Sequence, residues 1–353
     1  MHAIEIRTQK EKWRIETGSG ALLRPALADG ILYFGTQAGL LHAVDSHTGE
    51  ELWRFETGDV DWPIRDRFVN GQPTITGGVV YFSSEDWNVY ALDAKTGEER
   101  WRFRLGEEPQ ALQIPVRDGV AYIGGWDGYL YAIDVTSGTE KWRSTTDNDH
   151  IGRTLRDEAG DLYWVSDAPN GETLPRQAPY VTVVPIVTEE AVYFTDWSGN
   201  LMAVGVDDGV QLWRFKADAI DNRHAGSRFY IALRGDVLYF ATVEDRHLYG
   251  VDRHTGAKVW ESTTPYPAYG PLPWGGDVLL YMEAPLDESG SSTGFELHAI
   301  DAESKEPLWT RFGLSAPPYV EDDLVYCPLS DGTVIAVDRR EGSEVWRLGR
   351  SGD

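Results

Sequence analysis

Eight basic side chains gather in three segments of this chain: Arg65 and Arg67 in DVDWPIRDRFVNGQ, Arg153, Arg156 and Arg176 between 148 and 178, and Arg223, His224 and Arg228 in ADAIDNRHAGSRF. Beside these segments, or in the turns between them, stand Trp62, Trp87, Trp126, Trp197, Tyr269 and Trp274. A guanidinium grips a carboxylate through a planar fork, and an aromatic ring covers apolar surface next to it. The chemistry open to such a set is binding, and an anionic small molecule or an acidic protein segment fits it. The same arginines can equally pair with neighbouring acids while the rings pack the loops, and the sequence alone leaves both uses open.

Other chemistry finds less support. Cys327 is the one cysteine, which rules out an internal disulfide and a cysteine-based zinc site. It follows an LVY strand pattern and reads as a buried structural thiol. Gly290 to Gly294 fits G-x-S-x-G but lies in a Gly/Ser-rich turn, with no strand-to-helix elbow to present a nucleophile. His2, His42 and His298 take the place that Tyr90 and Tyr131 hold in other copies of a repeat, so they read as packing variants rather than metal ligands. His47 and His254 lie in turns, and His150, His224 and His247 have no ligand pattern beside them. No catalytic residue and no metal site is expected.

The elements that must position these residues come from that repeat. Ala43, Asp45, Thr48, Gly49 and Trp53 recur as Ala91, Asp93, Thr96, Gly97 and Trp101, and as Ala132, Asp134, Ser137, Gly138 and Trp142. Looser copies end at Trp213, Trp260, Trp309 and Trp346, and the spacing is otherwise 37 to 49 residues. An aromatic strand such as ILYFGT or VVYFSS precedes each copy, and a stretch holding Pro25, Pro73, Pro115 or Pro185 precedes several of those. Each unit therefore reads as four strands, the first placed where a ladder donor can be spared. A four-stranded sheet cannot bury both faces alone, so the units must stack on one another, and radially stacked they make a β-propeller. The Gly of each turn leaves room for a flat indole from the neighbouring unit, and the Asp accepts hydrogen bonds from the turn's backbone.

At these residues the chain resembles the PQQ-like repeat family, whose tryptophan-docking motif is Ala-x-Asp-x-x-Thr-Gly-Lys-x-x-Trp. The resemblance covers nearly the whole chain, although Glu50, Glu98, Thr139 and Ser343 stand where the motif has Lys. It implies an all-β propeller of seven to eight four-stranded blades, with Trp13, Trp53, Trp101, Trp142, Trp213, Trp260, Trp309 and Trp346 as structural docking residues. The expected blades are 21–58, 70–105, 110–146, 179–217, 228–264, 270–312 and 315–349, in one domain with an insert at 148–178. That insert shows strand alternation around the Asn170-Gly171 turn, as an inserted hairpin or a decayed blade. Residues 2 to 18 align with the last two strands of a unit, and the chain ends on an outer strand at Trp346. Seven blades with an extra N-terminal hairpin, eight with an incomplete first blade (the preferred reading), and a start placed too late all fit.

The family includes a propeller subunit of outer-membrane barrel assembly, which implies a non-catalytic scaffold for a protein or ligand. It also includes quinoprotein dehydrogenases, which implies the alternative of a PQQ- and calcium-dependent oxidoreductase. The vicinal disulfide often found in those enzymes is impossible with one cysteine, so no cofactor is expected. Connections from the last strand of one blade to the first of the next share an end with the turns between second and third strands. The long segments collect there, and Trp62, Arg65, Arg67, Trp87, Trp126, Arg153, Trp197, Arg223, His224, Arg228 and Trp274 are the expected ligand-binding residues on that face.

Charge narrows the partner. The 57 acidic against 32 basic residues give a net charge of −25, and a nucleic acid would be repelled. Seven of the basic residues are lysine, and such acid excess with scarce lysine is expected of a halophile, where a screening length of roughly 3 Å at 1 M salt quiets the self-repulsion. The N-terminus has no apolar signal-peptide core, and no apolar run is long enough for a transmembrane helix. The chain as given reads as a cytoplasmic monomer, or as exported or cell-surface if its N-terminus is truncated.

Overall fold

Short apolar strands ending in Thr-Gly turns fold into seven four-stranded antiparallel sheets, each built from strands consecutive in the chain. The structure is a computed structural model that describes residues 1–5, 10–18, 21–58, 68–106, 113–125, 127–145, 152–156, 162–166, 181, 184–196, 199–217, 231–242, 246–266, 268–269, 277–285 and 294–349. No helix occurs among the described residues, and none is long and apolar enough to cross a membrane. The sheets are propeller blades spanning 21–56, 69–104, 116–145, 186–216, 231–263, 268–314 and 319–348, called blades one to seven below. Two compact units divide the chain: 1–5 with 10–214, and 6–9 with 215–353.

Within a blade, burial follows strand position. In blade one the second strand, Ile31–Thr36, and the third, Leu40–Asp45, are buried through their centres. The fourth, Glu51–Glu56, alternates exposed and half-buried residues because one of its faces meets water. Proline falls in first strands, as at Pro25 and Pro73, and the pairing register there slips between Leu22 and Ala26 and between Asn70 and Thr74. The apolar cores lie between successive blades rather than inside one. Tyr81, Val89 and Trp101 of blade two pack with Ala121, Ile123 and Tyr131 of blade three, and blades six and seven close over Leu280, Leu297, Val325 and Ile335 in the same way.

Indoles of outer strands join one blade to the next within blades one to four and between blades six and seven. Trp53 lies over Gly97, so close that a Cβ on that glycine would sit 2.7 Å from the ring, and Trp101 meets Gly138 at the same distance. Both glycines have left-handed backbone, at φ 75° and 69°. Two requirements therefore coincide on one residue: a positive φ to make the turn and no side chain to obstruct the ring. The indole N–H then donates to the carbonyl three residues before the glycine, Trp53 to Ala94 at 3.0 Å, Trp101 to Val135 at 2.7 Å and Trp142 to Val206 at 3.1 Å. Trp13 treats Gly49 and Ser46 alike, and Trp309 does so with Gly342 and Arg339.

Blade six departs from the pattern. The turn there holds Lys305 in left-handed backbone at φ 67° in place of glycine, and its ammonium lies over the rings of Tyr239 and Trp260 while donating to the Tyr239 hydroxyl and the Ala302 carbonyl. A cation over the ring faces fills the space that a bare glycine would leave for the indole.

In six of the seven blades the turn is capped by an aspartate; blade four has Gly205 at that place, and Asp208 instead accepts from the Val210 N–H at 3.0 Å. Asp45 Oδ1 accepts from the N–H groups of His47 and Thr48, both at 2.8 Å, and Asp93 and Asp301 do the same in their own turns. These bonds stabilise the ionised form. The side-chain bond from Arg100, then the Thr96 and Lys95 amides, hold Asp93 at about 2, and the Ser304 amide and hydroxyl hold Asp301 at about 2.

Two further pieces lie outside the blades. His2–Glu5 and Lys10–Arg14 form a two-stranded sheet, with Ala3 opposite Trp13 as Ala43 is opposite Trp53. In the 148–178 insert, Gly152–Arg156 pairs with Leu162–Ser166, Arg153 facing Val165. The Asn170-Gly171 turn, with the hairpin or decayed blade expected around it, lies outside the described residues; upstream of it LYWVS pairs with GRTLR. Cys327 is fully buried, and burial pushes its thiol up to about 12.

Two outcomes follow from the turn geometry. Trp101→Ala should lower unfolding free energy by about 3–5 kcal/mol through lost burial and the cavity left behind, and Gly138→Ala should cost at least the ~1–2 kcal/mol of left-handed backbone; urea unfolding of both variants tests this. Asp93 and Asp301 have folded pKa values of about 2, below the ordinary 3.8, so their contribution is complete above about pH 4 and is lost as pH falls toward about 2. Asp93→Asn should flatten the fall of the urea midpoint across that window.

Candidate binding end of the blades

Strand direction gives every blade two chemically different ends. In each sheet the first strand begins, the second turns into the third, and the fourth finishes at one end, while the opposite end carries the Thr-Gly turns and the first-to-second connections, which are tight except for 270–277 in blade six. The connections 57–68, 105–115, 146–185, 217–230 and 264–267 leave from the first of these ends. Length of connection is therefore concentrated at one end of the blades, on a frame whose own turns are short.

At that end, the residue two places past the middle of the second strand is a buried polar one in blades one, two, four, five and six, while blades three and seven have Gly125 and Leu329 there. In blade one it is Thr36, whose Oγ1 accepts from the Leu40 N–H at 3.3 Å, and in blade five it is Thr242, whose hydroxyl donates to the His247 carbonyl at 3.4 Å. In blade four it is Asp196, which accepts from the Asn200 N–H at 2.9 Å and side-chain amide at 2.6 Å. Each of these three groups has its partner.

Blades two and three add a latch to the preceding blade. The Tyr90 hydroxyl donates to Asp86, and the N–H of Gly58, just past the last strand of blade one, donates to Asp86 Oδ2 at 2.9 Å and to the Tyr90 oxygen at 3.0 Å. Asp127 and Tyr131 repeat the arrangement against Gly106. Burial first, then the neighbouring carboxylates, push the Tyr90 and Tyr131 phenols well above the usual range, and burial raises Asp127 despite its hydrogen bond from Tyr131. These carboxylates are spent on holding blades together.

Blade six differs. The equivalent residue is Glu283, directly across the ladder from Glu296, with His298 two places further along the third strand and opposite Tyr281. Glu283 is 1% exposed, and neither of its carboxylate oxygens has a hydrogen bond of ordinary geometry, the Tyr281 hydroxyl and the Tyr266 backbone giving it only partial relief. Burial and then the Glu296 charge raise its carboxyl to about 7, while burial lowers His298. Glu283, Glu296 and His298 are the group of described side chains that could hold a metal ion. Sequence reasoning passed over them, because His298 was taken as a packing variant. That reading captures the ring stacking of His298 on Tyr281, at 4.9 Å and 14°, and misses the two carboxylates beside Nε2. The available signal was a glutamate where other blades place Thr36, Ser84 or Thr242.

Of the residues expected on the long-loop face, Trp87 is described together with its side chain. It has a left-handed φ of 70° in the second-to-third-strand turn of blade two, and the Arg104 guanidinium lies 5.1 Å above its ring. Arg153 is placed by its backbone in Gly152–Arg156. Trp62, Arg65, Arg67, Trp126, Trp197, Arg223, His224, Arg228 and Trp274 lie outside the described residues.

Comparison with known proteins identifies the relatives of this fold. The family model described as outer membrane protein assembly factor BamB matches residues 1–167, 154–272 and 244–353. Among individual sequences, BamB of Alkalilimnicola ehrlichii is 26% identical over 193 residues, 52% of this chain and 45% of that protein. Tetrathionate hydrolase of Acidithiobacillus ferrooxidans is 24% identical over 205 residues, covering 53% and 38%, and a quinohemoprotein alcohol dehydrogenase of Pseudomonas putida is 26% identical over 202 residues, covering 54% and 27%. The chain thus matches less than half the length of each of these three. Among solved structures, BamB from Moraxella catarrhalis superposes with a TM-score of 0.65 at 17% identity, over 93% of this chain and 88% of that one. Quinohemoprotein alcohol dehydrogenase from Comamonas testosteroni gives 0.64 at 17% identity, over 94% and 67%. At such identities the superpositions establish the PQQ-like propeller fold.

The latch yields a prediction. Asp86→Ala and Tyr90→Phe should each cost about 1–3 kcal/mol by leaving a buried partner unpaired. The double variant should cost less than the sum by at least ~0.5 kcal/mol, because both remove one network; thermal and urea unfolding of the cycle measure it.

Proposed function

The chain belongs to the family described as outer membrane protein assembly factor BamB, and from that membership we propose that it is a non-catalytic propeller scaffold that holds a protein partner at the long-connection end of its blades. The observation that carries this reading is the asymmetry of those ends: one is made mostly of tight, internally capped turns, with 270–277 of blade six as its longer connection, and the other sends out 57–68, 105–115, 146–185, 217–230 and 284–294. A scaffold needs a rigid frame and a variable surface, and this division supplies both. Trp87 under Arg104 is the described example of ring and guanidinium held together at that end. Arg65, Arg67, Arg153, Arg223 and Arg228 supply further cations in the same connections of a chain whose net charge is −25. An acidic segment of a partner is what such local positive charge selects against an otherwise repelling surface.

The paired substitution Arg65→Glu and Arg67→Glu tests this reading. Captured from a high-salt lysate of the source cells beside the wild type, the variant should lose its partner by tenfold or more while its melting temperature stays unchanged; equal recovery of the same partner overturns the assignment of the face. Addition of PQQ with calcium should bring neither a visible absorbance shift nor dye reduction, and turnover of the dye would replace the scaffold by an oxidoreductase.

A further inference from the structure

Strand register alone brings three potential ligands together in blade six. Glu283 faces Glu296 across the ladder and Tyr281 faces His298, so the alternation of side chains puts all four on one side of the sheet. His298 Nδ1 lies 3.1 Å from the Thr310 hydroxyl oxygen. With Thr310 accepting from Nδ1–H, the lone pair of Nε2 points at Glu296 Oε2, 3.5 Å away, and Glu283 Oε1, 3.9 Å away. Nε2 is itself buried without a hydrogen bond of ordinary geometry, as are both oxygens of Glu283. Nε2 and the two carboxyl groups converge with no hydrogen bond formed between them, and burying polar groups that are not fully satisfied is costly.

A cation at the centre of this group removes that cost. The ligand atoms already lie within 4.8 Å of one another. Ligands at about 2.0–2.2 Å in tetrahedral geometry stand about 3.3 Å apart, so the two histidine–carboxylate separations need to close only slightly. Thr310 completes the arrangement by fixing the imidazole tautomer, the role that outer hydrogen-bond partners play for ligating histidines. An imidazole with two carboxylates suits a zinc-class ion better than calcium or magnesium, which take oxygen ligands alone. The contrast with other blades points the same way, since Thr36, Asp196 and Thr242 at the equivalent place are all satisfied by the protein.

We propose that Glu283, Glu296 and His298 bind one zinc-class divalent cation at the long-connection end of blade six. The fourth coordination position opens on the side of Glu296 and His298, whose side chains are 23% and 18% exposed. Water or a donor group from a partner can occupy it.

The full-length chain, stripped of metal, is to be titrated with Zn2+ and separately with Co2+ in high salt, which suppresses loose binding to exposed carboxylates. Calorimetry should give one Zn2+ per chain, and Co2+ should develop the visible absorption of a tetrahedral site. Glu283→Gln is nearly isosteric, and His298→Tyr installs the residue that blades two, three and five carry there as Tyr90, Tyr131 and Tyr249, so both should fold. Each should weaken Zn2+ affinity by thirtyfold or more, and Zn2+ should raise the melting temperature of the wild type but of neither variant. Absence of a stoichiometric ion in the wild type, or unchanged affinity and Co2+ absorption in both variants, overturns the site. The scaffold reading stands or falls on the arginine variants independently of this result.

Discussion

An indole laid against a left-handed turn of the next blade is the contact on which the rest of the structure depends. It ties three sequence positions into one geometric unit: a tryptophan long enough to leave its own sheet, a glycine that can both turn and be covered, and a carbonyl that accepts the indole N–H. Failure of any one disturbs the other two. Because the acceptor belongs to the turn itself, capped from below by an aspartate, the contact fixes the turn's orientation as well as its position. The blade-to-blade cores then form between surfaces already held in register. Lys305 shows how far the rule bends: glycine is replaced, yet the positive φ is retained and the ring faces are covered by an ammonium.

The same turns give the acid excess a structural component. Asp45, Asp93, Asp134, Asp252, Asp301 and Asp338 each accept two amide hydrogens of their own turns. A carboxylate used in this way is bound to the fold at neutral pH and is not free to meet a partner. Charge counted over the whole chain therefore overstates what the surface presents at the tight-turn end, where arginines such as Arg100 and Arg340 add ion pairs to the capping aspartates Asp93 and Asp301. These pairs are exposed and individually weak.

The repeat was legible because its constraints are local: Asp, Gly and Trp fall within nine residues, and each has one physical task. Four strands per blade and stacking between blades then follow from the need to cover both faces of a narrow sheet. What local spacing could not reveal was pairing across a ladder. Glu283 and Glu296 are separated by a connection with no motif in it, and only the register of two strands sets them face to face beside His298. His298 itself was read through its neighbours in the repeat, where tyrosine at that place is a packing residue or, as Tyr90 and Tyr131 show, half of a latch. The insert shows the same limit: the pairing of Gly152–Arg156 with Leu162–Ser166 rests on no motif that spacing could reveal.

A repeat also makes chemistry at one position interpretable. If blade six stood alone, an unsatisfied buried glutamate would be one polar defect among those any protein tolerates. Set beside the threonines, serine and aspartate that other blades place there, it is the member of a series in which the shared structural task has been given up. The blade carries that cost on the apolar contacts it makes with blade seven, through Val278, Leu280, Leu297 and Val325. A frame stabilised between its blades leaves the ends of individual sheets free to diverge, which is why one family fold can carry an assembly factor in one relative and a dehydrogenase in another.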